Sequence, residues 1–218
     1  FTLQGVMLNT DDMEVTTVND PMGTGEMFSI VNQSFGLSYA RYLTDKVSVG
    51  LTGKMVQEDY YDYGYTTWAI DLGTMYRSDF RNLRMGMSIL HFGPEVNYSG
   101  EYYNYSSLRD TVKSFENYSL PVNFRVGLSI DLLNTGNHVI RAAGDMVHPN
   151  NNIEQYNAGM EYRFNDMVFL RGGYRMTADE AGLSAGAGVK FSVVSVNYSF
   201  VDMGVFNGVH RFALSLGF

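Results

Sequence analysis

Apolar and polar residues alternate with a period of two through most of this 218-residue chain. Successive side chains of a β-strand point to opposite faces, whereas a helix of about 3.6 residues per turn would scatter the two sets around its circumference. Comparable segments recur from 1–8 through to a last strand that ends at Phe218. The pattern is clearest in 122–132, with Val122, Phe124, Val126, Leu128, Ile130 and Leu132 on one face and Asn123, Arg125, Gly127, Ser129 and Asp131 on the other. The sequence therefore predicts an all-β fold of about twelve strands.

The connections between these segments alternate between long and short when counted back from the C-terminus. The short ones are Thr44–Lys46, Ser78–Asn82, Asn134–Asn137, Asn165–Asp166 and a turn near Ser192. The long ones are Asn9–Met27, Glu58–Tyr65, Pro94–Leu120, His148–Glu154, Thr177–Gly182 and Met203–Val209. Barrels of the bacterial outer membrane join their strands by short periplasmic turns and long external loops, whereas a Greek-key sandwich mixes loop lengths. We therefore expect one transmembrane antiparallel up-and-down β-barrel domain over residues 1–218, in the bacterial outer membrane and with its C-terminus in the periplasm.

Charged residues share the polar face of these strands with glycine, serine, alanine and asparagine. An arginine that faces lipid at the middle of a bilayer costs roughly 2 to 4 kcal/mol, so the apolar face is interpreted as the lipid face. The alternative is a soluble sheet that buries its apolar face. On the first interpretation the charges form a network in the barrel lumen: Asp71, Arg84, Arg125, Asp131, Arg141, Asp145, Glu161, Arg163, Arg171 and Arg175.

Composition narrows the possible functions. The chain has no cysteine and a net charge of -8, which disfavours a nucleic-acid partner because phosphates require a basic surface. An outer-membrane phospholipase would need a histidine followed two residues later by a serine. None of His91, His138, His148 and His210 has that neighbour, and the four are too dispersed to indicate a metal site. We therefore expect no enzyme activity, no metal and no cofactor.

Five segments carry a family resemblance: GLSYARYLTDKVSVGLTGK (36–54), AIDLGTMYRSDFRNLRMGMSILHFGP (69–94), IEQYNAGMEYRFNDMVFLRGGYRM (153–176), GLSAGAGVKF (182–191) and VNYSFVDMGVFNGVHRFALSLGF (196–218). They resemble the PorV/PorQ family of Bacteroidetes-type outer-membrane proteins, relatives of the fatty-acid channel FadL. The resemblance implies a barrel of fourteen strands with an N-terminal hatch segment inside it. The hatch and about two of these strands are not seen before Phe1. The chain is therefore interpreted as the C-terminal portion of a longer barrel. Family members take part in type IX secretion, which implies protein transport through binding of secreted proteins or translocon subunits.

Tyrosines cluster in two of the long connections, and such rings supply contact area at low entropic cost. They predict a partner-binding surface, with packing of the loops on each other as an equal alternative: Tyr60, Tyr61, Tyr63, Tyr65, Tyr98, Tyr102, Tyr103 and Tyr105. Acidic residues of the first loops, with Glu58 among them, indicate either a solvated rim or contact with lipopolysaccharide through divalent cations. Two other functions stay open, namely a FadL-like channel for hydrophobic small molecules and a structural barrel.

Overall fold

The computed structural model describes residues 1–17, 19–104, 111–177, 182–204 and 208–217, and these residues are mostly in β-strands. The strands are β1 (Thr2–Asn9), β2 (Met13–Glu14), β3 (Met27–Phe28), β4 (Ile30–Tyr42), β5 (Val47–Tyr60), β6 (Tyr63–Arg77), β7 (Arg84–Phe92), β8 (Glu95–Val96), β9 (Glu101–Asn104), β10 (Thr111–Ser114), β11 (Tyr118–Ser119), β12 (Asn123–Asn134), β13 (His138–Pro149), β14 (Gln155–Phe164), β15 (Val168–Met176), β16 (Gly182–Phe191), β17 (Val194–Asp202) and β18 (Gly208–Leu216). A short 3-10 helix covers Phe80–Asn82. In the described ranges, no helix is long and apolar enough to cross a bilayer.

Twelve of the described strands form one antiparallel sheet in the order β1-β4-β5-β6-β7-β12-β13-β14-β15-β16-β17-β18. Strands that follow one another along the chain pair with their neighbours, apart from the short strands in two connections, as an up-and-down arrangement requires. The prediction of about twelve antiparallel strands is therefore confirmed. Within the same residues no pairing joins the edge strands β1 and β18.

The prediction of a long loop at Glu58–Tyr65 is wrong. Strand β5 continues through Tyr60 and β6 begins at Tyr63, which leaves only the turn at Tyr61 and Asp62. Tyr61 takes a left-handed backbone conformation with φ of 55°. Tyrosine favours strands, so a tyrosine-rich segment extends the hairpin where its aspartates and glycine indicate a loop.

The chain divides into two compact units. Unit 1 comprises Phe1–Arg41, Gly50–Leu72 and Leu90–Val122, and a cluster of its buried residues consists of Tyr65, Ala69, Val96 and Leu120. Unit 2 comprises Tyr42–Val49, Gly73–Ile89 and Asn123–Phe218, of which Phe218 lies outside the described residues. Its buried residues include Asp131, Val139 and Val147. A single domain over 1–218 stays a prediction.

Each unit exposes apolar side chains on strands that also carry covered charged groups. In unit 2, Leu128, Met160 and Leu170 are 55%, 54% and 52% exposed, whereas Asp131 is 3% exposed. In unit 1, Met55 is exposed while the side chain of its neighbour Lys54 is buried in an ion pair. A soluble sheet would show the reverse polarity, because charged residues are almost never buried when apolar positions on the same strand are free. The arrangement therefore favours apolar faces that contact lipid.

Candidate functional site

The connection between β7 and β12 forms a hairpin that lies on β6 in unit 1. Its base is the β8–β11 pair, with Val96 opposite Tyr118, and its outer part is the β9–β10 pair. Gly93, just before the hairpin, lies so close to the backbone of β6 that a Cβ added to it would be 2.5 Å from the Trp68 carbonyl oxygen. Val96 and Leu120 then pack with Tyr65 and Ala69 of β6. Because Ala69 alternates with Trp68 and Ile70, this β8–β11 hairpin covers the polar face of β6.

Aromatic rings join the hairpin to the β5–β6 turn. The Tyr98 ring centroid lies 5.2 Å from that of Tyr65, 5.7 Å from that of Tyr60 and 5.8 Å from those of Tyr118 and Phe115. The Phe115 ring extends the group, at 4.9 Å from Tyr63 and 5.1 Å from Tyr102. Ring pairs at such separations stabilise by about 0.5 to 1.5 kcal/mol beyond the area they bury. These seven residues, called the tyrosine cluster below, are Tyr60, Tyr63, Tyr65, Tyr98, Tyr102, Phe115 and Tyr118.

Polar contacts anchor the tyrosine cluster. The Tyr98 hydroxyl donates to the Glu58 carboxylate at 3.2 Å, and the Tyr63 hydroxyl donates to the Glu101 carbonyl at 3.2 Å. The Asn97 side-chain amide donates to the Phe115 carbonyl at 2.7 Å. Burial raises the pKa of Tyr98, and the neighbouring Tyr118 hydroxyl and Glu58 carboxylate raise it further. Tyr98 is therefore a neutral donor at physiological pH, and Glu58 belongs to the cluster rather than to a solvated acidic rim.

Ionisation of Tyr98 should release the hairpin at alkaline pH. An unperturbed tyrosine has a pKa of about 10, and the folded pKa of Tyr98 lies higher, so the unfolded hairpin loses its proton first. The stabilisation is complete below about pH 10 and is lost as the pH rises through the folded pKa. Phenolate absorbance should show tyrosine that titrates late, and Tyr98→Phe should lower the amplitude of that late step by one tyrosine. A late amplitude that Tyr98→Phe leaves unchanged would contradict this assignment.

The structure groups most of the predicted binding tyrosines inside the cluster. Tyr60, Tyr63, Tyr65, Tyr98 and Tyr102 belong to it, and the alternative that the loops pack on each other agrees with their ring contacts. Tyr61 lies outside it against Phe28, with ring centroids 5.5 Å apart. Tyr105 and the side chain of Tyr103 lie outside the described residues. Partner binding by the exposed rings of Tyr61 and Tyr102, which are 42% and 36% exposed, stays a prediction.

Charges of alternating sign cross the polar face of four neighbouring strands in unit 2. Asp131 of β12 lies opposite Arg141 of β13, Arg141 opposite Glu161 of β14, and Glu161 opposite Arg171 of β15. The Arg141 Nε atom is 2.6 Å from Asp131 Oδ1, and Arg171 Nε is 2.8 Å from Glu161 Oε2. Directly opposite unlike charges stabilise a sheet. We call these residues the charge ladder.

Polar neighbours extend the charge ladder. The Asn82 side chain donates to Asp131 at 3.0 Å, and Arg171 donates to Asn197 at 2.9 Å. Four residues further along β13, Asp145 accepts the side-chain amide of Asn157 at 2.5 Å. The alternation of side chains along β14 and β17 places Asn157 and Asn197 on the polar face, so the sequence pattern could have identified them as neighbours of the charged residues. Asn82 lies in a turn, where alternation carries no information.

The remaining predicted charges lie apart from the ladder. In unit 1, Asp71 forms an ion pair with Lys54, with Nζ 2.7 Å from Oδ2, and accepts the backbone N–H of His91 at 2.8 Å. In unit 2, Arg163 Nε lies 2.9 Å from Asp166 Oδ1. Three further arginines, namely Arg84, Arg125 and Arg175, have no ion pair within the described residues, and the last two are exposed. Lys54, the ion-pair partner of Asp71, was missing from the predicted network.

A cavity of about 200 Å³ lies on the polar face at one end of β14–β17 in unit 2. Its lining includes Asn157, Arg175, Ser184 and Asp202 together with Tyr174 and Val201. Small residues at Gly173 and Gly182 leave the space open. Across the described ranges, no group of three or more histidine, aspartate or glutamate side chains could hold a metal ion.

The sequence matches no protein-family model and no curated protein. Among solved structures, the toluene transporter TbuX of Ralstonia pickettii matches 99% of this chain over 77% of its own, with a TM-score of 0.60 and 15% sequence identity. The chain is similar in fold to TbuX.

The likeness to TbuX concerns the fold, since the two sequences are only 15% identical. It agrees with the predicted all-β barrel class at the level of architecture. The more specific resemblance to the PorV/PorQ family is not supported by TbuX or by the other comparisons, and neither is a role in type IX secretion.

Proposed function

We propose that this chain forms a FadL-like outer-membrane barrel that passes a small hydrophobic molecule across the outer membrane. The observation that carries the proposal is the combination of exposed apolar faces with covered ion pairs, in a fold similar to that of a toluene transporter. Exposed leucine and methionine match a hydrocarbon environment, and paired charges match a wall that water or substrate reaches. The C-terminus lies in the periplasm, and the longer connections lie outside.

The tyrosine cluster supplies a group of packed rings on the polar face among the described residues of unit 1. Hydrophobic ligands bind in sites lined mainly by apolar and aromatic side chains with a few polar groups that orient them. Tyr65, Tyr98 and Phe115 provide such surface, and Glu58 and Asn97 provide the polar groups. The β8–β11 hairpin therefore acts as a lid over the route on this part of the barrel.

Uptake by whole cells tests the proposal, because lipopolysaccharide slows hydrophobic molecules that would cross a simple phospholipid bilayer unaided. A bacterium without its own hydrocarbon transporter should take up labelled toluene several-fold faster when it carries this chain in its outer membrane. The control is a strain with the empty vector, and fractionation should verify that the chain is present in the outer membrane. Equal uptake with the barrel present would contradict transport, and a chain found only outside the membrane would contradict the membrane assignment.

Partner binding is a second candidate, supported by the exposed rings of Tyr61 and Tyr102. Pull-down of the detergent-solubilised barrel should then recover a secreted protein or a translocon subunit, and Tyr61→Ser with Tyr102→Ser should abolish that recovery. The matched control is Tyr174→Ser, which removes a ring of similar exposure from β15. Recovery that survives the paired change would count against binding through these rings.

A further inference from the structure

Two short turns join into one surface in unit 2. The first follows β4 and contains Lys46, and the second follows β6 and contains Asp79 and the 3-10 helix. The backbone N–H of Arg77 donates to the Lys46 carbonyl at 2.7 Å. The Lys46 ammonium lies 2.6 Å from the Asp79 carboxylate. These two bonds hold the turns side by side.

Cationic and apolar groups lie together on this surface. The guanidinium carbon of Arg77 lies 5.8 Å from the ring centroid of Tyr42, and that of Arg81 lies 6.0 Å from the ring centroid of Phe80. Tyr42 and Leu43 are each 56% exposed, and Phe80 is 65% exposed. Exposed rings beside long cationic side chains are typical of the boundary between bilayer and water, where the ring contacts lipid and the charge reaches the headgroups.

The charges of the surface leave two guanidinium groups available. Lys46 and Asp79 neutralise each other, whereas no ion pair in the described part of the chain includes Arg77 or Arg81. Arg81 has a left-handed backbone with φ of 47°, so the turn itself presents this residue. Arginine binds phosphate oxygens through two parallel N–H donors. Such available cations contrast with a chain whose net charge is -8.

We propose that this surface, the basic turn patch of Tyr42, Leu43, Arg77, Phe80 and Arg81, binds the phosphate headgroup of an anionic glycerophospholipid. Arg77 and Arg81 contact the phosphate, and the rings of Tyr42 and Phe80 with the Leu43 side chain contact the glycerol and upper acyl region. The site rests on the proposed membrane location. It requires neither transport nor partner binding.

The test compares lipid retention by the purified chain in phosphatidylcholine nanodiscs that contain a minor fraction of phosphatidylglycerol. Native mass spectrometry should show phosphatidylglycerol retained in preference to phosphatidylcholine. Because each basic residue at a membrane surface contributes about fivefold to anionic-lipid binding, Arg77→Gln with Arg81→Gln should lower that preference by roughly 25-fold. Asp79→Asn should raise it, because the substitution removes the carboxylate that neutralises Lys46, while the backbone bond between Arg77 and Lys46 still joins the two turns. Arg211→Gln is the matched control, since it removes an exposed arginine from β18.

The result that overturns the site is equal retention of the two lipids by the unaltered chain, or a preference unchanged by the paired substitution. Displacement of the lipid by inorganic phosphate would show a free-anion site and would also overturn the proposal. Asp79→Asn keeps the test valid if the arginine variants fold poorly, since its expected effect has the opposite sign. A chain that does not enter phosphatidylcholine bilayers would contradict the proposed function, and the lipid site with it.

Discussion

Arginine in place of Leu128 should lower the free energy of unfolding in a bilayer by about 2 to 4 kcal/mol. Leu128 lies at the middle of β12 on the apolar face and is 55% exposed. In water this substitution at an exposed site would change stability by less than about 0.5 kcal/mol. In hydrocarbon the guanidinium must reach the headgroups or remain poorly solvated, which costs free energy. Urea unfolding in lipid vesicles, followed by tryptophan fluorescence of Trp68, measures the difference.

Leu132→Arg is the matched control for this prediction. Leu132 lies on the same strand and face but near the turn that ends β12, where an arginine reaches the headgroups and costs about 0 to 1 kcal/mol. A clear gap between the two variants therefore reports depth in a bilayer. Equal and small effects at both positions would contradict lipid contact and favour an apolar face in water.

The strands could be predicted from sequence because alternation records which face each residue occupies. Most of the segment 122–132 lies in β12, which pairs with β13 in an unbroken register up to Asp131, where the register shifts before Leu133. Leu132 and Leu133 are consequently both exposed. Such a bulge depends on how two strands pair, so the alternation within one strand cannot predict it.

The site was predictable only in part. The alternation along each strand places Asp131, Arg141, Glu161 and Arg171 on one face. The sequence does not show which of these charges lie opposite each other, because that depends on the register between strands. The tyrosine cluster is harder still, because Tyr98 reaches Glu58 across forty positions of sequence. Tyrosine suits a strand, a lid and a binding surface equally well, so only the packing of the hairpin on β6 separates these roles.

Leucine in place of Asp131 should destabilise the fold by about 3 to 5 kcal/mol, the usual effect of removing one partner of a buried ion pair. The Asp131 and Arg141 side chains are 2% and 14% exposed, and Asp131 also accepts the Asn82 amide. One Nη atom of Arg141 is already buried without a hydrogen-bond partner in the described structure. Loss of the carboxylate therefore leaves the guanidinium without its counter-ion. Urea unfolding in vesicles measures the loss.

Two further variants separate the ion pair from ordinary effects of substitution. Asp131→Leu combined with Arg141→Leu should recover most of the lost stability, because it removes the uncompensated charge, and the double-mutant cycle isolates the coupling between the two side chains. Asp79→Asn breaks an exposed pair with Lys46 and should change stability little, because water solvates both charges. A double variant no more stable than Asp131→Leu would show that the shape of Asp131, or its bond to Asn82, matters more than its charge. The alternation of signs across β12 to β15 would then fix the strand register without stabilising the sheet.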